Sequence, residues 1–163
     1  GGLEAGEPSR LWRWGGPPAA VAICYEISNG GAVARAVADG AEWSLAAANL
    51  DPYPRLLQQQ YLALAQLRSL ETARPLLSTA NTGPTAMIRA NGKVAQRLAS
   101  FDPGLLVVPF QPHKGLTGYV RWGEAPLLLI IGASSLILIK SASRSGPRPA
   151  RPRRRKTPPL DQE

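Results

Sequence analysis

At 163 residues the chain has room for one modest domain, and its single cysteine excludes both an intrachain disulfide framework and a multi-cysteine metal site. The net charge of +8 is unevenly spread: from Lys140 onward eight basic residues stand against two acids, whereas residues 1–139 carry eleven against nine. Most of the basic character therefore belongs to a tail, and the opening residues, with Gly1 in place of Met and no basic segment leading into an apolar run, predict neither a signal peptide nor a natural start.

Residues 1–18, rich in Gly, Pro and charge, predict an irregular lead-in. Ala19 to Ile23 is a continuous apolar run, the pattern of a strand buried on both faces, and it ends directly at Cys24-Tyr25-Glu26. Ser28-Asn29-Gly30-Gly31 turns the chain and caps a short helix reaching about Ala38, and Trp43 to Ala48 predicts the next strand. Asn49 to Pro54 is a rigid loop whose prolines suit a helix start, because proline lacks a backbone donor that would go unused there. Leu56, Leu57, Ala63, Leu64, Leu67 and Leu70 then share one face at helical spacing, which predicts a helix over 55–74 that Pro75 ends. Leu76 to Ala80, Thr85 to Ile88 and Val94 to Leu98 predict strands, the last two joined across an Asn91-Gly92 turn, and Leu105 to Phe110 a further one. Strands alternating with helices, followed by a hairpin, predict a mixed α/β sheet layered with helices.

Ala125 to Ile139 holds fifteen residues without a charge, with Trp122 before it and Lys140 directly after. This pattern predicts a transmembrane helix over 121–140, and Gly132, Ser134 and Ser135 supply a small face for packing on another helix. The alternative is a buried helix of a soluble domain. Residues 141–163 form a Pro/Arg-rich tail too polar to fold alone, expected on the cytoplasmic side by the positive-inside tendency, with the preceding domain external. No aromatic residues interleave its arginines to stack on bases, so lipid contact is favoured over nucleic acid.

Taken from the residues alone, Cys24 has two readings. One is a small buried apolar group. The other is a nucleophile exposed at a strand end, favoured as a thiolate by a nearby helix N-terminus. The run Ala22-Ile-Cys-Tyr-Glu-Ile27 resembles the nucleophile motif of the apolipoprotein N-acyltransferase branch of the nitrilase (carbon-nitrogen hydrolase) superfamily. Ala65 to Leu77, containing Arg-Ser-Leu-Glu-Thr-Ala-Arg-Pro, resembles that family's helix and following strand. Asn81-Thr-Gly83 is similar to its next turn, and Gly115-Leu-Thr-Gly-Tyr-Val-Arg-Trp-Gly123 to the stretch before its last transmembrane helix.

The resemblance implies a nitrilase-like α-β-β-α sandwich, of which residues 19–120 would be the C-terminal part. It also implies a location in the bacterial inner membrane, with the catalytic part on the periplasmic side. The implied reaction moves an acyl chain from a phospholipid, through a thioester on Cys24, to the N-terminal amine of a diacylglyceryl-cysteine apolipoprotein. Tyr25 and Glu26 are implied as essential neighbours of the nucleophile. No cofactor or metal is implied, and a monomer is expected. For Glu26 the residues leave two roles open, an acid that orients the site or a strand-end carboxylate bonded to backbone. Glu71 is expected to pair with Arg68 or Arg74, and His113 to be exposed.

The sequence departs from the family pattern in two places. The family's catalytic Glu and Lys precede the cysteine motif, and residues 1–23 contain no lysine, so the chain is expected to be a fragment, inactive by itself. Asn49-Leu-Asp-Pro-Tyr-Pro54 also stands where the family has Asn-Asp-x-Trp-Phe-Gly, so contacts to lipid are expected to differ. The competing readings are a soluble nitrilase-like amidase and an inactive, membrane-anchored remnant.

Overall fold

The structure, a computed structural model, describes residues 11–144, with side chains as far as Ser141. Residues 1–10 of the lead-in and the arginine-rich stretch beyond Arg144 lie outside the described residues. The chain divides into two units between Glu124 and Ala125.

The first unit is built on one six-stranded sheet in sequence order. Its strands are β1 (Leu11–Trp12), β2 (Ala19–Ile23), β3 (Trp43–Ala48), β4 (Leu76–Ala80), β5 (Ala86–Ile88) and β6 (Val94–Arg97). β2, β3 and β4 are parallel, β1 runs antiparallel to β2, and β5 and β6 run antiparallel beyond β4. The expected hairpin closes at Asn91-Gly92, where Gly92 takes φ +77, a value glycine adopts without steric cost. β1 falls inside the lead-in read as irregular, because two residues are too few to show a period. Leu105 to Phe110 does not form the expected strand. Pro109 lies within it and removes a backbone donor, and Leu105 is 85% exposed.

Alternation along each strand sends Ala20, Ala22, Ala46 and Leu76 to one face. There they pack with α1 (Gly30–Ala38) and α2 (Arg55–Thr72), through Val33, Ala36 and Val37 on the first helix and Tyr61, Leu62 and Ala65 on the second. Alanines at these positions let helix and sheet approach closely. On the opposite face Val21, Leu45, Ala47 and Leu77 are half-buried and Ile23 is exposed, while Trp43 is covered by Phe110 at 5.3 Å between ring centroids. The nitrilase-like α/β arrangement is therefore present as one helical layer on one sheet, and the described residues hold no second sheet.

The face α2 turns to the core is not the leucine stripe read from the sequence. Leu56, Leu57, Leu67 and Leu70 are exposed, and the buried positions are Gln58, Tyr61, Leu62, Ala65, Arg68, Ser69 and Thr72. This second stripe has helical spacing too, but polar residues hide it from an apolar count. The helix ends at Thr72 because Ala73 turns left-handed, at φ +51, one residue before Arg74.

The span expected over 121–140 is interrupted. α3 (Gly118–Trp122) stops at Gly123, φ +55, and α4 (Ala125–Arg144), in the second unit, begins after Glu124. Among the described residues no helix is long and apolar enough to cross a membrane. Starting at Ala125, the charge-free stretch to Ile139 covers only about 22 Å at 1.5 Å per residue, short of a hydrocarbon core of about 30 Å.

Candidate active site

Three parallel strands end at one edge of the sheet, and the residues that follow them are Cys24, Asn49 and Asn81. In open α/β sheets this carboxyl edge is where ligands bind. Asn81 Nδ2 donates to Asn49 Oδ1 at 2.7 Å, and the Leu50 amide donates to Asn81 Oδ1 at 2.9 Å, which fastens the loop after β3 to the turn after β4. Gln58, buried in α2, donates to the carbonyls of Leu50 and Tyr53 from below. The departure loop 49–54 is thereby held from both sides. Gly83 lies so close beneath it that an added Cβ would come within 2.5 Å of Leu50 Cδ1.

Cys24 has φ +52, a left-handed conformation unfavourable for a residue with a Cβ. It opens a 3-10 helix, Cys24–Ser28, so the nucleophile candidate sits on a sharp strand-to-helix turn with its side chain partly exposed. Two contacts hold that turn. Ile27 is fully buried in the core, and the Ile23 amide donates to Glu26 Oε2 at 2.9 Å. Glu26 thus has a backbone partner at the strand end. Tyr25 is 81% exposed.

The helix expected after the Ser28 to Gly31 turn is α1. α1 begins at Gly30, beyond the 3-10 helix, and its first turn is capped by Asn29 Oδ1, which accepts from the Ala32 amide at 3.0 Å.

Cys24 opens onto a cleft of about 340 Å³. Its walls are Ile27, Leu50, Leu57 and Leu64 with the rings of Tyr25, Tyr53 and Tyr61, and no charged side chain lines it. Tyr61 is the one lining phenol that is buried; burial first, and then the charge of Cys24, push its pKa up to about 12.

At the far end of α2 the remaining charged residues are structural. Arg68 pairs with Glu71 at 3.1 Å, as the sequence predicted, and packs against Gly30, where a Cβ would come within 1.7 Å of Arg68 Nη1. Burial raises the Glu71 pKa, partly opposed by Arg68, with Glu124 adding to the rise. Arg74, only 3% exposed, donates to the carbonyls of Ala41 and Gly115, so it ties β3's entry to the segment before α3. His113 is exposed, with its backbone amide bonded to the Glu42 carbonyl.

Leu50, Tyr53 and Tyr61 were not singled out as site residues in the sequence. For Tyr61 a signal existed in the spacing of Gln58, Tyr61, Leu62 and Ala65, which turns the phenol inward beneath Cys24's loop.

A mixed sheet that delivers a cysteine from a left-handed turn at the carboxyl end of a parallel strand is a scaffold for nucleophile chemistry. Residues 8–114 match the carbon-nitrogen hydrolase family, and the chain belongs to it. The chain is similar to the apolipoprotein N-acyltransferase of Prochlorococcus marinus, with 62% identity over 128 residues, 78% of this chain and 26% of that protein. It is likewise similar to the apolipoprotein N-acyltransferase of Bordetella bronchiseptica, with 39% identity over 137 residues, 80% of this chain and 24% of that protein. The chain thus spans about a quarter of the length of the curated relatives it matches. Among solved structures, an amidase from Nesterenkonia sp. aligns with TM-score 0.56 at 23% identity, covering 77% of this chain and 48% of that one. A Saccharomyces cerevisiae member of the nitrilase superfamily aligns with TM-score 0.53 at 15% identity, covering 60% of this chain and 39% of that one. At these identities the likeness is one of fold.

Proposed function

We propose that this chain is the cysteine-bearing part of an apolipoprotein N-acyltransferase, with Cys24 as the acyl-carrying nucleophile. The observation that carries the reading is Cys24 on a left-handed turn opening into a cleft without charged walls, which suits an acyl chain better than a small polar amide. The relatives named above support the same assignment over a soluble amidase.

In this reading the Cys24 thiolate attacks the ester carbonyl of a phospholipid. A C–S bond forms, the ester C–O bond breaks, and lysophospholipid leaves with a proton on its freed hydroxyl. The α-amine of a diacylglyceryl-cysteine apolipoprotein then attacks the thioester, the amide C–N bond forms, and the sulfur leaves and recovers a proton. A thioester suits this exchange because it stores an activated acyl group while one lipid departs and another arrives. Glu26 acts here by fixing the turn rather than by moving protons, and exposed Tyr25 faces the incoming lipid.

We place the enzyme at the bacterial inner membrane, with the Cys24 domain on the periplasmic side. Leu127 to Ile131 and Leu136 to Ile139 are all exposed on α4, the composition of a helix in contact with lipid.

A chimaera tests the assignment, with residues 1–163 replacing the matching quarter of the Prochlorococcus relative. Given labelled phospholipid, it is expected to form a hydroxylamine-labile adduct, and Cys24→Ala to abolish it. An adduct that survives Cys24→Ala, or none in a folded chimaera, would sink the reading.

A further inference from the structure

Tyr61 is a buried donor without a partner. Its side chain is 7% exposed, its hydroxyl makes no hydrogen bond among the described residues, and its ring lines the same cleft as Cys24. A hydroxyl taken out of water and left unpaired carries a desolvation cost that nothing in the resting site returns. Ser44, Ser78 and Thr82 also hold unpaired buried hydroxyls, but none of them lines this cleft.

The other groups facing the sulfur are poor substitutes. Tyr25, from the 3-10 helix, and Tyr53, from the loop after β3, are both exposed, and their hydroxyls are not withdrawn from water. Gln60 of α2 is exposed as well. Glu26 accepts from the Ile23 amide and does not line the cleft.

We propose that Tyr61 is a catalytic donor, its Oη–H giving a hydrogen bond to the Cys24 sulfur once that sulfur is anionic. The proposal rests on Cys24 being the nucleophile. The phenol keeps its proton while the thiol loses its own, since burial and the neighbouring cysteine hold the Tyr61 pKa at about 12. Hydrogen bonds to an ionised partner are the stronger kind, so an uncharged donor in an apolar cleft contributes more to the anion than to the thiol. The unpaired hydroxyl of the resting state then has its partner in the reacting one.

Cys24 is the only cysteine, so alkylation by iodoacetamide reports on it alone. In the 163-residue chain, Tyr61→Phe is expected to slow alkylation about tenfold at pH 7, the loss of one charge-assisted hydrogen bond. The difference should close at high pH, where the thiol ionises without help. Tyr61→His, which restores a donor, is expected to recover part of the rate. Equal rates for a folded Tyr61→Phe and the unsubstituted chain would overturn the proposal. If Tyr61→Phe unfolds, 3-fluorotyrosine at position 61 reads the same contact by fluorine NMR. A resonance that follows Cys24 ionisation, and loses that response in Cys24→Ser, supports it; an indifferent resonance overturns it. A chimaera that forms no acyl adduct while Tyr61→Phe still slows alkylation would sink the acyltransferase reading and leave this contact standing. The reverse pair of results would sink the contact alone.

Discussion

The last turn of α2 and the turn around Tyr61 lie on the same helix, both bury polar side chains, and differ in what those side chains touch. In the last turn Thr72 Oγ1 donates to the Arg68 carbonyl at 2.7 Å, and Ser69 Oγ lies within hydrogen-bond distance of the Arg74 and Arg89 carbonyls. Arg68 pairs with Glu71, and Thr117, the cap of α3, donates to the Glu71 carbonyl. Arg68 Nε and Glu71 Oε2 remain unpaired, yet each residue has at least one partner, and together they bind α2 to α1, α3 and the β5–β6 hairpin. The Tyr61 hydroxyl has none, and its ring, although packed in the core, also lines the cleft. Buried polar groups that meet one another describe how a fold is held together, whereas one that meets an empty cleft describes what the fold is waiting for.

The largest test of this contrast is Arg68→Ala. It leaves Glu71 buried without its cation, and breaking such a pair typically costs about 3–5 kcal/mol. A urea titration is expected to show that loss, and a shift below about 1 kcal/mol would mean that the last turn is not the clamp described here. A smaller effect of opposite sign is expected at the site. Cys24 holds a left-handed conformation that glycine adopts freely, so Cys24→Gly should be more stable than Cys24→Ala by about 1 kcal/mol, measured in the same titration. Equal stabilities would show that the turn carries no strain at this position.

The smallest effect is a pH dependence. Burial raises the Glu71 pKa above its ordinary 4.5, so the folded state binds this proton more tightly than the unfolded chain does. Its contribution therefore favours folding below the ordinary value and is lost as pH rises through the raised one. Glu71→Gln removes the titration, and its stability is expected to vary less with pH from 4.5 upward than that of the unsubstituted chain. Parallel curves would place the carboxylate in a more hydrated setting than the one seen here.

Much of the scaffold was legible in the sequence. The runs Ala19 to Ile23, Trp43 to Ala48 and Leu76 to Ala80 became β2, β3 and β4 with the same ends, because uninterrupted apolar residues between turn residues leave a buried strand little alternative. The Asn29 cap, the proline-started α2 and the Asn91-Gly92 hairpin were legible for a similar reason, each resting on neighbours within a few residues. Cys24 at a strand end, the Arg68–Glu71 pairing and the resemblance carried by Ala22 to Ile27 belong to the same local kind. Where the sequence misled, a long-range contact or a backbone break had decided. The inward face of α2 was chosen by the carbonyls and ring surfaces its polar residues could reach, not by its leucines. Leu105 to Phe110 had strand-forming residues but a proline where a ladder needs a donor, and the apolar segment after Trp122 was shortened by the left-handed Gly123. Local composition determined which segments are strands and helices. Only the tertiary structure decided that Tyr61 and Cys24 share one cleft, because that meeting depends on how α2 packs on β4 and on the 3-10 helix that Cys24 opens, a geometry that no spacing along the chain records.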